Sequence, residues 1–321
     1  GEQNGVSAER IDPNAATNDV NNWGNSTSRS GNSAGIENAI FDLDTKAPEV
    51  IFANLQSDGS VLVAFSEFVD INSATFTIDG KQKNVIQFDI NNANQLLIDG
   101  NGLQTGSSIE LTVADLADVV GNTKASFSIP VAQPISKNTV VINEILYDPL
   151  SDSEDNLPDQ TEYIELYNTL DYAISLEDIY LNDAPDENGD VNRLDAVSTS
   201  FKWIPANSYF LIYSEDETFD FEESQLAEYF GLPSSNANFS MQIDRSSLSL
   251  SASGDAIFLT DSSGTTIDSV FFDESWHNPN RVSTKGVALE KITPSGPSNE
   301  SSNWSSSTEI TGGTPGQENS I

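Results

Sequence analysis

The chain has 321 residues, with 50 Asp and Glu against 13 Lys and Arg, a formal charge of −37, and 37% apolar residues. That charge speaks against nucleic acid, whose phosphates need cations, and against anionic membrane surfaces. The absence of cysteine excludes a disulfide framework and a thiolate metal site. Sixteen Phe and eight Tyr are enough to build cores, so the chain is not a disordered acidic tail. Its length suggests two domains of ordinary size. No run approaches the roughly 18 apolar residues of a membrane-spanning helix, and no signal peptide stands at Gly1, so an exported precursor would carry its signal ahead of it. Abundant Asp, Asn, Ser, Thr and Gly suit short strands and many turns.

Residues 1–45 are the odd segment. Residues 5–40 read GVSAERIDPNAATNDVNNWGNSTSRSGNSAGIENAI, and residues 286–321 read GVALEKITPSGPSNESSNWSSSTEITGGTPGQENSI. The two align without a gap, pairing Gly5 with Gly286, Glu9 with Glu290, Pro13 with Pro294, Trp23 with Trp304 and Asn38 with Asn319. So long an offset means duplication of whole domains, not a short solenoid. The expectation is a tandem array in which residues 1–45 are the C-terminal remnant of a preceding repeat. Such a remnant offers strand exchange with a neighbouring molecule through residues 1–40.

Residues 46–135 form the next domain. The spacing predicts strands at Val50–Leu55, Val61–Val69, Thr75–Ile78, Val85–Ile90, Gln95–Ile98, Ser108–Val113 and Lys124–Ile129. The Asp58-Gly59 and Asp79-Gly80 turns are hairpin signals. Seven short strands in so short a span is a sandwich pattern. Phe65-Ser66-Glu67 and the later Asp118-Val119-Val120-Gly121-Asn122 resemble the pattern of bacterial Ig-like domains of the S-layer type. That resemblance implies an Ig-like spacer or presentation module.

Residues 136–321 make the larger domain. Two apolar runs, Val140–Tyr147 and Tyr163–Tyr167, read as a hairpin around an acidic loop. Strands are predicted at Ile174–Leu181, Phe201–Ile204, Tyr209–Tyr213, Leu248–Leu250, Ala256–Thr260 and Thr266–Phe272. Phe219–Phe230 has helical spacing, ended by Gly231 and Pro233, and reads as a short helix or an irregular lid. The runs Ile142–Pro149, Glu162–Asn168, Ile204–Ile212, Ser253–Val270, Lys285–Ile292 and Thr314–Ser320, in that order and with Trp276 between Ser253–Val270 and Lys285–Ile292, resemble a bacterial lamin-tail domain. The resemblance implies an Ig-like β-sandwich and an interaction module, with no partner named. Residues 5–40 match its last two motifs but carry Ala8 for Leu and Ser33-Ala34 for Thr-Pro, so a different closing turn is expected there.

For chemistry, Asp183, Asp186, Asn188 and Asp190 space oxygen ligands around an Asn-Gly turn, as a calcium site requires. They lack the closing Glu of the twelve-residue loop, and a solvated turn is the competing reading. The runs at 148–159 and 215–220 are weaker candidates of the same kind. Glu144 and Glu165 lie inside strands, Glu165 on one face with Tyr163 and Tyr167. A paired-carboxylate hydrolase would need both in a cleft; otherwise each accepts hydrogen bonds from loop amides or a hydroxyl. His277 is the only histidine, too few nitrogens for a zinc site, and no G-x-S-x-G elbow accompanies it; it reads as loop packing beside Trp276. The four Trp either stack sugars or fill cores.

The expectation is therefore an all-β chain of two Ig-like β-sandwich domains in tandem, with the remnant in front. Its expected role is a non-catalytic module of an exported bacterial surface protein, serving adhesion or spacing. It would be secreted or at the cell surface, with a protein or glycan partner and no direct membrane insertion. The alternative is an accessory glycan- or calcium-binding domain of a secreted hydrolase, with no cofactor other than calcium.

Overall fold

A computed structural model describes residues 5–150, 159–177, 179–183, 193–194, 203–215, 223–233, 240–244 and 248–321. The chain divides into two compact units, Gly1–Val131 and Ala132–Ile321, both built of Ig-like sheets whose strand pairs are antiparallel except for one parallel pair at Leu211–Glu215 and Ser240–Asp244 in the second.

The first unit opens with a two-stranded sheet of its own. Strand β1 (Ala8–Arg10) pairs antiparallel with β2 (Trp23–Asn25). Asp19 caps the turn between them by accepting from the Asn21 amide at 2.9 Å.

The sandwich that follows has nine strands. These are β3 (Val50–Leu55), β4 (Val61–Phe65), β5 (Val69–Asp70), β6 (Thr75–Ile78), β7 (Lys81–Lys83), β8 (Val85–Phe88), β9 (Gln95–Ile98), β10 (Glu110–Asp118) and β11 (Thr123–Pro130). One sheet runs β3-β4-β9-β8; the other runs β11-β10-β6-β7, with β5 also on β10. Val61, Val63, Phe65, Leu96 and Ile98 of the first sheet meet Phe76, Ile78, Leu111 and Val113 of the second in one core.

Two features differ from the sequence expectation. The run Val61–Val69 breaks at residues 66–68, so that β4 stays in the first sheet while β5 crosses to the second. The polar strand β7 has no apolar alternation to announce it. It forms because Asp79 (φ 48) and Gly80 (φ 74) both adopt the left-handed region, as a tight hairpin turn demands. Its lysines face outward at a sheet edge, where charge discourages further pairing.

The second unit holds β12 (Val140–Leu146), β13 (Tyr163–Asn168), β14 (Ile174–Ser175), β15 (Ile179–Asp183), β16 (Arg193–Leu194), β17 (Trp203–Ile204) and β18 (Tyr209–Glu215). Helix α1 (Gln225–Phe230) follows, then β19 (Ser240–Asp244), β20 (Gly254–Asp261), β21 (Thr266–Asp273), β22 (Leu289–Lys291) and β23 (Trp304–Ser306). Six strands run β19-β18-β13-β12-β22-β23, and four run β16-β15-β20-β21. The helix begins at Ser224, whose hydroxyl accepts from the Ala227 amide at 3.0 Å, and stops at left-handed Gly231. Of the predicted helical span, residues 219–222 lie outside the described residues.

A bulge in β12 decides what the six-stranded sheet presents. The register on β13 shifts between Ile142 and Glu144. One extra residue reverses the alternation of side chains. Val140 and Ile142 before it, and Ile145 and Tyr147 after it, therefore all reach the core between the sheets. Glu144 and Leu146 are sent to the opposite face. There Leu146, Tyr163, Leu211 and Tyr213 pack under Leu226 and Ala227 of α1 and against Ala288.

The C-terminal copy of the repeat completes this sheet. β22 pairs with β12, Glu144 opposite Glu290 and Ile145 opposite Leu289. The copy at residues 5–42 has the same local structure, with no covering sheet among the described residues. Even its closing turn is the same, against expectation: Ile36 N donates to Ser33 O and Gln317 N to Thr314 O, each at 3.0 Å. Trp304 is 3% exposed and Trp23 is 40% exposed.

That contrast sets a prediction. Trp304→Ala should destabilise the protein by about 3–5 kcal/mol, the range for deleting a fully buried large aromatic. Trp23→Ala should cause a much smaller loss. Urea unfolding followed by circular dichroism measures both, and equal losses would contradict the different packing of the two copies.

Candidate functional site

The exposed-looking acids of the strands prove to be the most buried. Glu144, Glu165 and Glu290 each have no exposed surface. They stand side by side on the outer face of the six-stranded sheet, Glu144 opposite both of the others. The chain after β23 lies over them. Thr314 N donates to Glu144 Oε1 at 2.8 Å, and Gly316 N donates to Glu165 Oε2 at 2.6 Å. Ser320 N and its hydroxyl donate to Glu290 Oε2 at 2.7 and 2.8 Å. From the sheet, the Tyr163 hydroxyl donates to Glu144 Oε1 at 2.7 Å and Asn143 Nδ2 to Glu165 Oε1 at 2.8 Å.

Three buried carboxylates at this spacing cannot all be ionised. Burial pushes Glu144 well above the usual carboxylate range, and the charge of Glu290 adds to it. Burial does the same to Glu165, with the charge of Glu144 adding. The geometry of Thr314 agrees. Its single hydroxyl lies 3.3 Å from Glu144 Oε2 and 3.1 Å from Glu290 Oε1. One hydroxyl proton serves only one of these contacts, so the other brings two oxygens together, an approach that a proton on one of the carboxylates would relieve.

Gly313 shows how closely the segment is seated. A Cβ there would collide with the Tyr163 hydroxyl and stand 2.8 Å from Glu144 Oε1. On the sheet's other side, Lys291 is fully buried and donates to the Ser298 hydroxyl at 2.8 Å. Ser298 donates to Asp268 Oδ2 at 2.8 Å, which also accepts the Ile142 amide at the bulge, at 2.8 Å. Burial lowers Lys291 to about 8, and Asp268 opposes the shift. The network ties the closing segment to both sheets.

The remaining sequence candidates divide. Asp183 ends β15 opposite Ile257; Asp186, Asn188 and Asp190 lie outside the described residues, as do 151–158 and 216–220. His277 is a packing residue. It bonds the Ser306 hydroxyl at 2.8 Å, lies 5.7 Å from the Tyr147 ring, and burial lowers it to about 4. Trp276 packs on the buried Trp304 at 6.2 Å, which is core filling rather than a sugar platform.

A different acidic group gathers in the first unit. Carboxylate oxygens of Asp44, Glu67 and Asp118 all lie within 4.8 Å of one another. Asp44 and Glu67 border a hollow of about 320 Å³ also lined by Asp12, Asp19 and Asp42. Burial first, then the hydrogen bond and charge of Asp44, push Glu67 up to about 8. Asp118 Oδ1 accepts the amides of Val120, Gly121 and Asn122 at 2.9, 2.6 and 2.9 Å. That fan of amides explains the Asp-x-x-Gly-Asn pattern as a turn. Oxygen ligands of this kind suit calcium. Sequence reasoning marked Glu67 and Asp118 only as sandwich motifs; distance along the chain hid their meeting with Asp44.

Comparison with known proteins adds one family. Residues 133–273 match the family model described as LTD, Lamin Tail Domain. The match ends before the closing segment. No curated protein matches the chain. Among solved structures, one described as a DUF4876 family protein from Bacteroides thetaiotaomicron VPI-5482 is similar, at 14% identity and a TM-score of 0.30. That likeness covers 68% of this chain and 82% of the other.

The carboxylate cluster predicts a pH dependence with a definite sign. Folded values raised above the ordinary 4.5 mean that the protonated form stabilises. This contribution is complete below about pH 4.5 and is lost as pH rises through the folded values. Glu144→Gln should therefore gain on the unaltered protein as pH goes from about 5 to about 9. Glu144→Leu, which strands Tyr163 OH and Thr314 N, should lose about 1–3 kcal/mol at pH near 5. Thermal melts across pH test both; a Gln variant that falls behind as pH rises would refute the shared-proton arrangement.

Proposed function

We propose that the chain is a non-catalytic segment of an exported bacterial surface protein, serving adhesion or spacing in a multidomain array. One observation carries the non-catalytic reading. The paired acids that a hydrolase would need in a cleft lie under the closing segment, with their oxygens taken by Thr314, Gly316 and Ser320. Sheet-on-sheet packing makes each unit stiff, and a charge of −37 keeps neighbouring units soluble and mutually repelling. The resemblance of residues 46–135 to S-layer-type Ig-like domains supports the same role, and lamin-tail domains imply interaction. The chain's partner in this reading is a protein or glycan at the cell surface. Antibody labelling and protease shaving of intact source cells test it: recovery wholly from the cytoplasm would sink the reading.

A second reading, an accessory calcium- or glycan-binding domain of a secreted hydrolase, is favoured by the Asp44, Glu67 and Asp118 cluster. Calcium bound there would displace the proton on Glu67. Calcium at about 1 mM, a level that extracellular modules sense, should then raise the melting temperature at neutral pH. Glu67→Gln should remove that response. No shift in the unaltered protein, with no heat in titration calorimetry, would remove this reading.

A further inference from the structure

Residues 5–42 reproduce the closing segment bond for bond. Ser7 N donates to Gly31 O at 2.8 Å, as Ala288 N does to Gly312 O at 2.7 Å. Ala39 N reaches Glu9 Oε2 at 2.7 Å, as Ser320 N reaches Glu290 Oε2 at 2.7 Å. Asn38 Nδ2 reaches Arg10 O at 2.9 Å, as Asn319 Nδ2 reaches Lys291 O at 2.8 Å. Trp23 and Trp304 donate to the carbonyls of Thr17 and Ser298 at 2.9 and 2.8 Å. The segment therefore takes its shape from its own bonds, before any sheet is added.

Among the described residues, nothing covers its sheet-facing side as the C-terminal copy is covered: β22 lies between β12 and β23, whereas β1 pairs with β2 alone. Ala8 is exposed where Leu289 is fully buried. Arg10 Nε is buried with no partner among the described residues. At the same place in the other copy, Lys291 is linked through Ser298 to Asp268 of the opposite sheet.

We propose that residues 5–42 are a strand-adding docking module for the open sheet edge of a second lamin-tail-type sandwich, and that Asn32 bars them from the sheet of this chain's own second unit. The C-terminal copy states the chemistry of the occupant. It is an edge strand that pairs antiparallel with residues 8–9, two strand carboxylates for the loop amides around Ser33 and Gly35, and an aspartate for Arg10. The occupant is not a second copy of this chain. Asn32 stands where the closing segment has Gly313, and any Cβ at Gly313 meets Tyr163 and Glu144. Ala8 in place of Leu289 would leave a hole in this chain's core. The fitting partner sheet has a small residue where Tyr163 stands and a larger one opposite Ala8. This specificity works by a clash against the wrong sheet as well as by contacts to the right one, and it holds whether or not the protein is exported.

The test uses the full chain with a protease site at residues 280–284, where Val282 is fully exposed. The chain is nicked after folding, then unfolded and refolded with labelled peptides, and peptide 286–321 calibrates uptake. Peptide 5–42 should be taken up at least about tenfold more weakly, and the same peptide with Ala8→Leu and Asn32→Gly should recover to within about threefold of 286–321. Glu9→Ala in that doubly changed peptide should abolish uptake, while Val20→Ala, at an exposed position, should not. Uptake of unaltered 5–42 equal to that of 286–321 would make a second copy the occupant and overturn the proposal. Rejection of the doubly changed peptide where 286–321 is accepted would overturn the docking module itself.

Discussion

Three buried glutamates and the amides they hold are the constraint on which the second unit depends. An antiparallel sheet with one face on a core can leave the other in water. Here the other face is closed instead, and the closure is polar. Glu144, Glu165 and Glu290 draw residues 314–320 down onto the sheet through amides and hydroxyls. Removing water from three acids is costly unless protons and hydrogen bonds replace it. The cluster meets that demand twice over, with donors from both the sheet and the closing chain. The apolar patch around Leu146, Tyr163 and Leu211 then continues the covered face toward α1. Acids that look like catalytic equipment are fasteners.

The bulge at residues 142–144 makes the arrangement available. Without it, strand β12 could not place Ile142 and Ile145 in the core and Glu144 on the outer face. The bulge amide of Ile142 is satisfied by Asp268, which in turn serves Ser298 and Lys291. A local irregularity is thereby tied into a network that reaches both sheets. The same cation-and-hydroxyl pairing occurs in the N-terminal copy, where Arg10 bonds Thr17.

Much of this was legible in the sequence, for identifiable reasons. Strand period put Glu165 on a face with Tyr163, and the reading of both strand acids as hydrogen-bond acceptors follows from that. The gapless repeat marked two copies of a closing segment and left open which of them packs on the second unit; the pairing of β22 with β12 assigns it to residues 286–321. Glu290 lies inside a motif of that repeat, but its neighbours on the sheet depend on strand pairing, which no local pattern announces. The donors Thr314, Gly316 and Ser320 sit in an irregular loop with no period to read. The alternation across Val140–Leu146 is ambiguous because apolar residues flank Asn143 and Glu144 on both sides without a break, so the bulge was hidden. β7 was hidden because lysine and glutamine carry no apolar signal. Asp44, Glu67 and Asp118 come from a linker, a strand break and the end of β10; only the tertiary fold brings them together.

The closing strand also comes late in the chain: β22 follows β12 and β13 only after every other strand of the second unit except β23. Its pairing with β12 is therefore a contact of long sequence separation, whose loop-closure entropy must be met before the contact rewards it. The polar clamp belongs to the part of the second unit that chain order makes available last.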